Sequence, residues 1–195
     1  MTYSEQIITK VQQMQKETSH ANFADKKVLA TDLLLMQQVI AASENLMVQA
    51  EKLSKEKMKE YFKSHLDEEL DHAKWLADDL LTWDIDVTKH PIMREAAELA
   101  GLQYYLIFHR SPACLLGYMM VLEGLPFPID VLEQLEEVHG KDILKTLRYH
   151  AVNDLEHRKE LFSVVNDSGD PCIMENAIRT QMLMSEISEK LSRLC

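Results

Sequence analysis

The chain has 195 residues, of which 46% are hydrophobic and 27% are charged, which is enough for one domain with a substantial core. Its net charge of −11, without a basic stripe, argues against a nucleic-acid or anionic-membrane surface. The N-terminus has no apolar signal core, and the longest apolar run, 113–122, is too short to span a bilayer. We therefore expect a single domain over residues 1–195, with neither nucleic acid nor a membrane as partner.

Cysteine usage suggests the compartment. Cys114, Cys172 and Cys195 are far apart in sequence, odd in number and outside any C-x-x-C pair. This is not the pattern of a disulfide framework, so a reducing, cytoplasmic location is expected.

Apolar residues recur at helical spacing along the chain, and the alternation typical of strands is missing. Five glycines and five prolines leave little room for β-turns. We predict an all-α fold of seven or eight helices. The predicted helices cover residues 4–16, 25–50, 54–83, 91–109, 112–123, 129–139 and 141–165, and a last helix follows Pro171.

The predicted helix 54–83 carries a carboxylate in an apolar stripe. Counting by threes and fours places Glu69 on the inward face, and His72 follows on the same side. His65 lies on that side two turns before His72, whereas Glu68 turns more toward solvent. An E-x-x-H pair is a standard way for one helix to supply two metal ligands. A helix rich in glutamate produces this pair by chance, so its value here depends on the inward phase of Glu69.

A lone acidic residue ends the most apolar helix of the chain. Residues 112–122 contain no charge, and Glu123 follows directly before Gly124. A carboxylate at a helix C-terminus meets the unfavourable end of the helix dipole, which a bound cation would offset. The alternative is that Glu123 emerges into solvent where the helix ends.

The predicted helix 141–165 contains the motif H-x-x-x-D-x-x-H. About a helix axis, Asp154 lies about 40° from His150, and His157 lies about 20° from it on the other side. The three side chains extend the stripe that Leu147 and Leu161 define, so they are expected to face the core. Two buried imidazoles and a carboxylate are costly unless something such as a metal ion satisfies them.

Three predicted helices thus supply ligand-type residues at inward positions, without lysine or arginine among them. Three histidines and three carboxylates suit two ferrous ions, with one carboxylate, hypothetically Glu123, bridging them. The predicted metal ligands are Glu69, His72, Glu123, His150, Asp154 and His157.

These motifs resemble those of haem-oxygenase-like di-iron oxidases, the iron-containing redox enzymes, which are related in fold to haem oxygenase and thiaminase II. The resemblance rests on E-x-x-H, on P-x-x-L-L-G-Y with a following Glu (112–123), and on Y-H-x-x-x-D-x-x-H (149–157). It implies a haem-oxygenase-like bundle with two labile Fe(II) ions and O₂ as co-substrate. It further implies a small substrate derived from an amino acid or fatty acid, an external electron donor as a candidate partner, and a homodimer.

One position departs from the family pattern. Some members carry the first carboxylate seven residues before the helix histidine, where this chain has His65. Others carry it three residues before, where this chain has Glu69. Glu69 is the expected ligand, and His65 and Glu68 are the alternates.

Other functions remain open. A ferritin-like di-iron protein would add Glu44 as a ligand. A metal-free hydrolase of the thiaminase II type would use Cys114 as nucleophile, with Tyr118 four residues later. A non-enzymatic partner-binding bundle is a further alternative.

A substrate carboxylate could be anchored by one of four arginines, Arg94, Arg110, Arg148 and Arg158, although surface salt bridges are the ordinary role of such residues.

Overall fold

The computed structural model describes residues 1–19, 21–125 and 127–194, with the side chains of residues 154–156 left aside. In this part of the chain all regular structure is helical, which confirms the all-α prediction. Two 3₁₀ turns, Val87–Lys89 and Asp142–Leu144, accompany nine α-helices: α1 (Tyr3–Lys16), α2 (Lys26–Leu53), α3 (Glu56–Glu69), α4 (His72–Leu81), α5 (Arg94–His109), α6 (Cys114–Leu122), α7 (Ile129–His139), α8 (Lys145–Ser168) and α9 (Pro171–Ser192).

Side-chain caps fix several of these boundaries. Thr2 and Glu5 form a capping box at α1, and Asp25 accepts hydrogen bonds from the first backbone N–H groups of α2. The sequence also predicts that Ser54, at the start of the range 54–83, caps the third helix. That prediction is wrong, because Ser54 ends α2 and α3 begins at Glu56 without a side-chain cap.

The predicted helix 54–83 is in fact two helices. Leu70 is extended, with ψ 136°, and Asp71 adopts the left-handed region with φ 70°, so α3 ends at Glu69 and α4 begins at His72. The last turn of α3 carries acidic residues and no basic one, which the helix dipole disfavours. Aspartate also tolerates the left-handed region better than most residues. The additional break is why the helices exceed the predicted number.

The fourth predicted helix begins later than expected. Pro91 was predicted to open it, but α5 starts at Arg94. Gln38 on α2 explains the difference, because its side chain accepts a hydrogen bond from the Met93 N–H at 2.7 Å and donates one to the Pro91 carbonyl at 3.1 Å. These two bonds hold the segment before α5 against α2 outside the helix.

The core is built around α6, whose residues 114–121 are all buried. Gly117 lets α6 approach α9 closely, since a β-carbon there would lie 2.2 Å from the carbonyl oxygen of Ile173. The long helix α2 contributes to two apolar clusters, one with α6 and α9 and one with α4 and α7. Among the described residues, no helix is both long enough and apolar enough to cross a bilayer.

Candidate metal centre

One group of potential ligands lies where α3, α4 and α8 meet. Ligand atoms of Glu69, His72 and His150 all lie within 4.8 Å of one another. His72 is fully buried, and its Nδ1 lies 2.7 Å from Oε2 of Glu69. The rings of Trp75 and Tyr149 pack against the His72 imidazole, with centroids at 4.3 and 5.2 Å. Within the described part of the chain, Nε2 of His72 is buried without a hydrogen-bond partner.

A second group joins α3, the end of α6 and α8. Ligand atoms of His65, Glu123 and His157 also lie within 4.8 Å of one another. Nε2 of His65 lies 3.1 Å from Oε2 of Glu123, yet neither atom has a hydrogen bond of acceptable geometry to any described residue. Nδ1 of His157 is likewise buried without a hydrogen-bond partner among the described residues. Buried polar atoms that converge without hydrogen bonds are unfavourable, and a cation between them would satisfy them.

Glu69 connects the two groups. Its Oε2 faces His72, whereas its Oε1 lies 3.7 Å from Nδ1 of His157 and has no hydrogen-bond partner among the described residues. Among the described residues, Glu123 shares a ligand group with His65 and His157 only. The hypothesis that Glu123 bridges the two groups therefore fits this geometry less well than a bridge through Glu69.

The site concentrates negative charge. Burial opposes ionisation of Glu69, but the hydrogen bond from His72 and the nearby imidazoles lower its pKa. Burial likewise disfavours the cationic form of His65, yet the adjacent carboxylate of Glu123 raises the pKa of this imidazole to about 9. Without a metal ion, the proton of His65 supplies positive charge that the cluster otherwise lacks.

Residues around the junction of α3 and α4 support the two groups. The ring of Tyr61 stacks on His65 with centroids 5.5 Å apart, and burial raises the pKa of this phenol. The carboxylate of Glu44 on α2 faces the backbone N–H of Asp71, and burial raises its pKa. Glu68 is 45% exposed and lies 3.2 Å from Nε2 of His157, at the edge of the second group.

The predicted ligands therefore converge, with one change of membership. Glu69, His72, Glu123, His150 and His157 belong to the two groups, and the side chain of Asp154 lies outside the described residues. His65, only an alternate in the sequence prediction, belongs to the second group, whereas Glu44 and Glu68 belong to neither. The sequence signal for His65 was its spacing from Glu69 and His72, at i, i+4 and i+7, which is typical of residues on one helix face.

An apolar cavity of about 440 Å³ adjoins the site. Glu69, Glu123 and His150 line it on one side, and a stripe of α2 lines it on another. Tyr118 is also in its wall and forms a hydrogen bond of 2.9 Å with Ser43. The proposed hydrolytic nucleophile Cys114 is not in the wall; it is fully buried, with its thiol against Cys172.

No protein-family model matches the sequence, and no curated protein matches it. A crystal structure from Shewanella denitrificans, described as a domain of unknown function with a heme oxygenase-like fold, matches the chain with a TM-score of 0.76. The match covers 98% of this chain and 88% of that one at 15% sequence identity. The likeness shows the fold alone: the chain has a haem-oxygenase-like helical fold, as the sequence resemblance implies.

Proposed function

We propose that this protein binds two ferrous ions and uses them with O₂ to oxidise a small organic substrate in the adjoining cavity. The observation that supports this most directly is the pairing of two three-residue ligand groups through the two carboxylate oxygens of Glu69. Sites for a single hydrolytic metal need fewer protein ligands. Histidine and carboxylate ligands together are typical of iron sites in helical bundles.

In this proposal Glu69, His72 and His150 hold one iron. His65, Glu123 and His157 hold the other, and Glu69 extends toward both. A ferrous pair bound there supplies the electrons and the open coordination positions that O₂ reduction requires.

The chain itself orients the ligands and excludes water. The hydrogen bond between Glu69 and His72 fixes one face of the imidazole, and the rings of Trp75 and Tyr149 enclose it. Asp154 remains a predicted additional ligand, because its position on α8 lies between those of His150 and His157.

The alternatives have less support. The haem-oxygenase-like fold, with more helices than a four-helix bundle, argues against a ferritin-like protein, and Glu44 lies outside both ligand groups. A thiaminase-type hydrolase needs an accessible nucleophile, but Cys114 does not line the described cavity. That alternative also leaves the converging ligands without a role.

The test is reconstitution of the full chain with ferrous iron under anaerobic conditions, followed by exposure to O₂. We expect about two irons per chain and a transient visible absorption band on mixing with O₂. We expect His157→Ala to lose iron and oxygen consumption together, whereas the exposed His90→Ala retains both. Full iron occupancy and normal oxygen uptake in His157→Ala, or no bound iron in the unmodified chain, would reject the proposal.

A measurement that needs no turnover tests metal binding by itself. Because a ligand that binds only the folded state stabilises it by mass action, saturation at about 100 times the dissociation constant adds about 2.7 kcal/mol. We expect Fe(II) or Mn(II) to raise the thermal midpoint of the unmodified chain, and to raise that of His72→Ala less, because this variant lacks a ligand of the first group.

A further inference from the structure

The cavity extends from the candidate metal centre along one face of α2. The lining residues of this helix recur at helical spacing, from Leu29 through Met36 and Ile40 to Met47. Glu44, in this stripe, is close enough to Glu69 and His72 for their charges to affect its pKa. Asp32 lies in the same stripe twelve residues earlier, which corresponds to roughly 18 Å along a helix axis. The stripe therefore has an acidic group at the metal end and another well away from it.

Asp32 has no protein partner in the described part of the chain. It makes no hydrogen bond or ion pair there, although other aspartates of the protein are engaged: Asp25 caps α2, and Asp79 accepts the backbone N–H of Thr146 at 2.7 Å. Burial raises the pKa of Asp32 to about 7. A carboxyl group in an apolar wall is unfavourable unless a ligand supplies a donor or a positive charge.

The acidic residues of the cavity wall favour a ligand with a positive charge. Among the described lining residues there is no lysine or arginine, and the acidic ones are Asp32, Glu44, Glu69 and Glu123. The four arginines considered as carboxylate anchors are absent from this wall. Arg94 pairs with Glu98, Arg110 with Glu175 and Arg148 with Glu136, and the guanidinium of Arg158 lies over the ring of Phe162. A substrate carboxylate would meet like charge here, whereas a cation would be attracted.

Thr146 provides an independent sign that the cavity receives a polar group. Thr146 is only 3% exposed and lines the cavity, and its Oγ1 has no hydrogen-bond partner among the described residues. A buried hydroxyl left without a partner is costly, so a ligand with hydrogen-bond donors would satisfy it. The remaining wall is largely leucine, methionine and phenylalanine, which suits an aliphatic chain.

We propose that the cavity binds an aliphatic primary amine, with its ammonium group paired to Asp32 and its alkyl chain along the stripe of α2 toward Glu69 and His150. Thr146 offers a further acceptor in the same cavity. The assignment of this amine as the oxidised substrate rests on the proposed function, but its binding requires no iron. A substrate that presents only a free carboxylate, such as the fatty acids that the sequence resemblance suggests, is thus disfavoured by the wall.

The test compares three probes with the same alkyl chain, octylamine, octanol and octanoate, by calorimetric titration of the full chain with and without bound Fe(II). Octanol can also donate a hydrogen bond to Asp32, but only the ammonium group adds an opposite charge to that bond, so octylamine should bind roughly tenfold or more tightly than octanol. Octanoate should bind most weakly. Asp32→Asn should lower the affinity for octylamine to that for octanol and leave the affinity for octanol unchanged. Asp78→Asn, at an exposed position outside the cavity wall, should change neither.

Equal binding of octylamine and octanol would overturn the proposal. So would tightest binding of octanoate, or unchanged octylamine affinity in an Asp32→Asn chain with a normal thermal unfolding transition. The two proposals fail separately. His72→Ala should lose the iron of the first group but still prefer the amine, because His72 is not in the cavity wall. A chain that prefers octylamine through Asp32 but binds no iron would reject only the oxidase, and a chain that binds iron and reduces O₂ without preferring the amine would reject only this inference.

Discussion

Oε2 of Glu69 lies 2.7 Å from Nδ1 of His72, although Asp71, in the left-handed region, separates the helices that carry these two residues. Glu69 is the last residue of α3, and His72 is the first of α4. The junction places a carboxylate and an imidazole at one point, with the second carboxylate oxygen turned toward His157 on α8. A single continuous helix would lack this junction, so the break is part of how the two ligand groups are brought together.

Glu69→Gln should lower bound iron from about two to less than one per chain. An amide cannot supply two anionic oxygens, so both proposed iron positions lose a ligand. Glu68→Gln is the matched control, since Glu68 precedes it in sequence but is 45% exposed at the edge of the site. Iron content after anaerobic reconstitution and gel filtration measures the difference. Equal iron contents in the two variants would contradict the assignment of Glu69 as the shared ligand.

His65→Ala should reduce bound iron by about one per chain and retain the iron held by the first group. His65 belongs only to the second group, where its Nε2 lies 3.1 Å from Oε2 of Glu123. Iron content and the change in thermal midpoint with Fe(II) check this result, and His90→Ala serves as the control at an exposed position. A His65→Ala chain that still binds two irons would place His65 outside the metal centre.

Much of the fold could be predicted because helical periodicity is a strong local signal. The range predicted for α7, residues 129–139, is observed unchanged, since Gly140 ends that helix with φ 86°. The break at Asp71 was missed because nothing in the sequence marks it with glycine or proline. The late start of α5 was missed because it depends on hydrogen bonds to Gln38, a residue distant in sequence.

The candidate site shows the same limit. Spacing along one helix indicates which residues share a face, and it brought Glu69, His72 and His150 into the prediction. It gives no distance between helices, so the position of Glu69 between the two groups could not be derived from it. Asp32 was also not predicted as a site residue. A single aspartate near a helix start is ordinarily exposed to solvent, and the sequence does not indicate the cavity that surrounds it.

Gly117→Ala should destabilise the protein by about 1–3 kcal/mol or more, because the added methyl group overpacks the contact between α6 and α9. The β-carbon would lie 2.2 Å from the carbonyl oxygen of Ile173 and 2.8 Å from the backbone nitrogen of Ala177. Gly101→Ala is the control: it lies inside α5 with open space around the β-carbon and should stabilise by about 0.5–1 kcal/mol. Urea unfolding measures both. Equal stability changes in the two variants would contradict the close packing of α6 against α9 at Gly117.

The pH dependence of stability should change in one direction when Asp32 is replaced by Asn. Burial raises the pKa of Asp32 from the ordinary 3.8 to about 7 in the folded protein. Between these values the folded state binds a proton that the unfolded state has released, so the contribution of Asp32 to stability falls as the pH rises through this window and is lowest above about 7. Asp32→Asn removes this dependence.

The metal-free, ligand-free protein and its Asp32→Asn variant should therefore be similar near pH 4, and the variant should be more stable near pH 8 by roughly 1–2 kcal/mol after allowance for partial exposure. Urea unfolding of both chains at each pH gives the difference, in which the titration of the other acidic groups and of the histidines cancels. Asp78→Asn should show no such trend, because Asp78 is exposed. A difference that stays constant across the pH range would mean that Asp32 is solvated like an ordinary surface carboxylate. Because octylamine should bind the unmodified protein through Asp32 and stabilise it, added octylamine should abolish the greater stability of the variant at high pH.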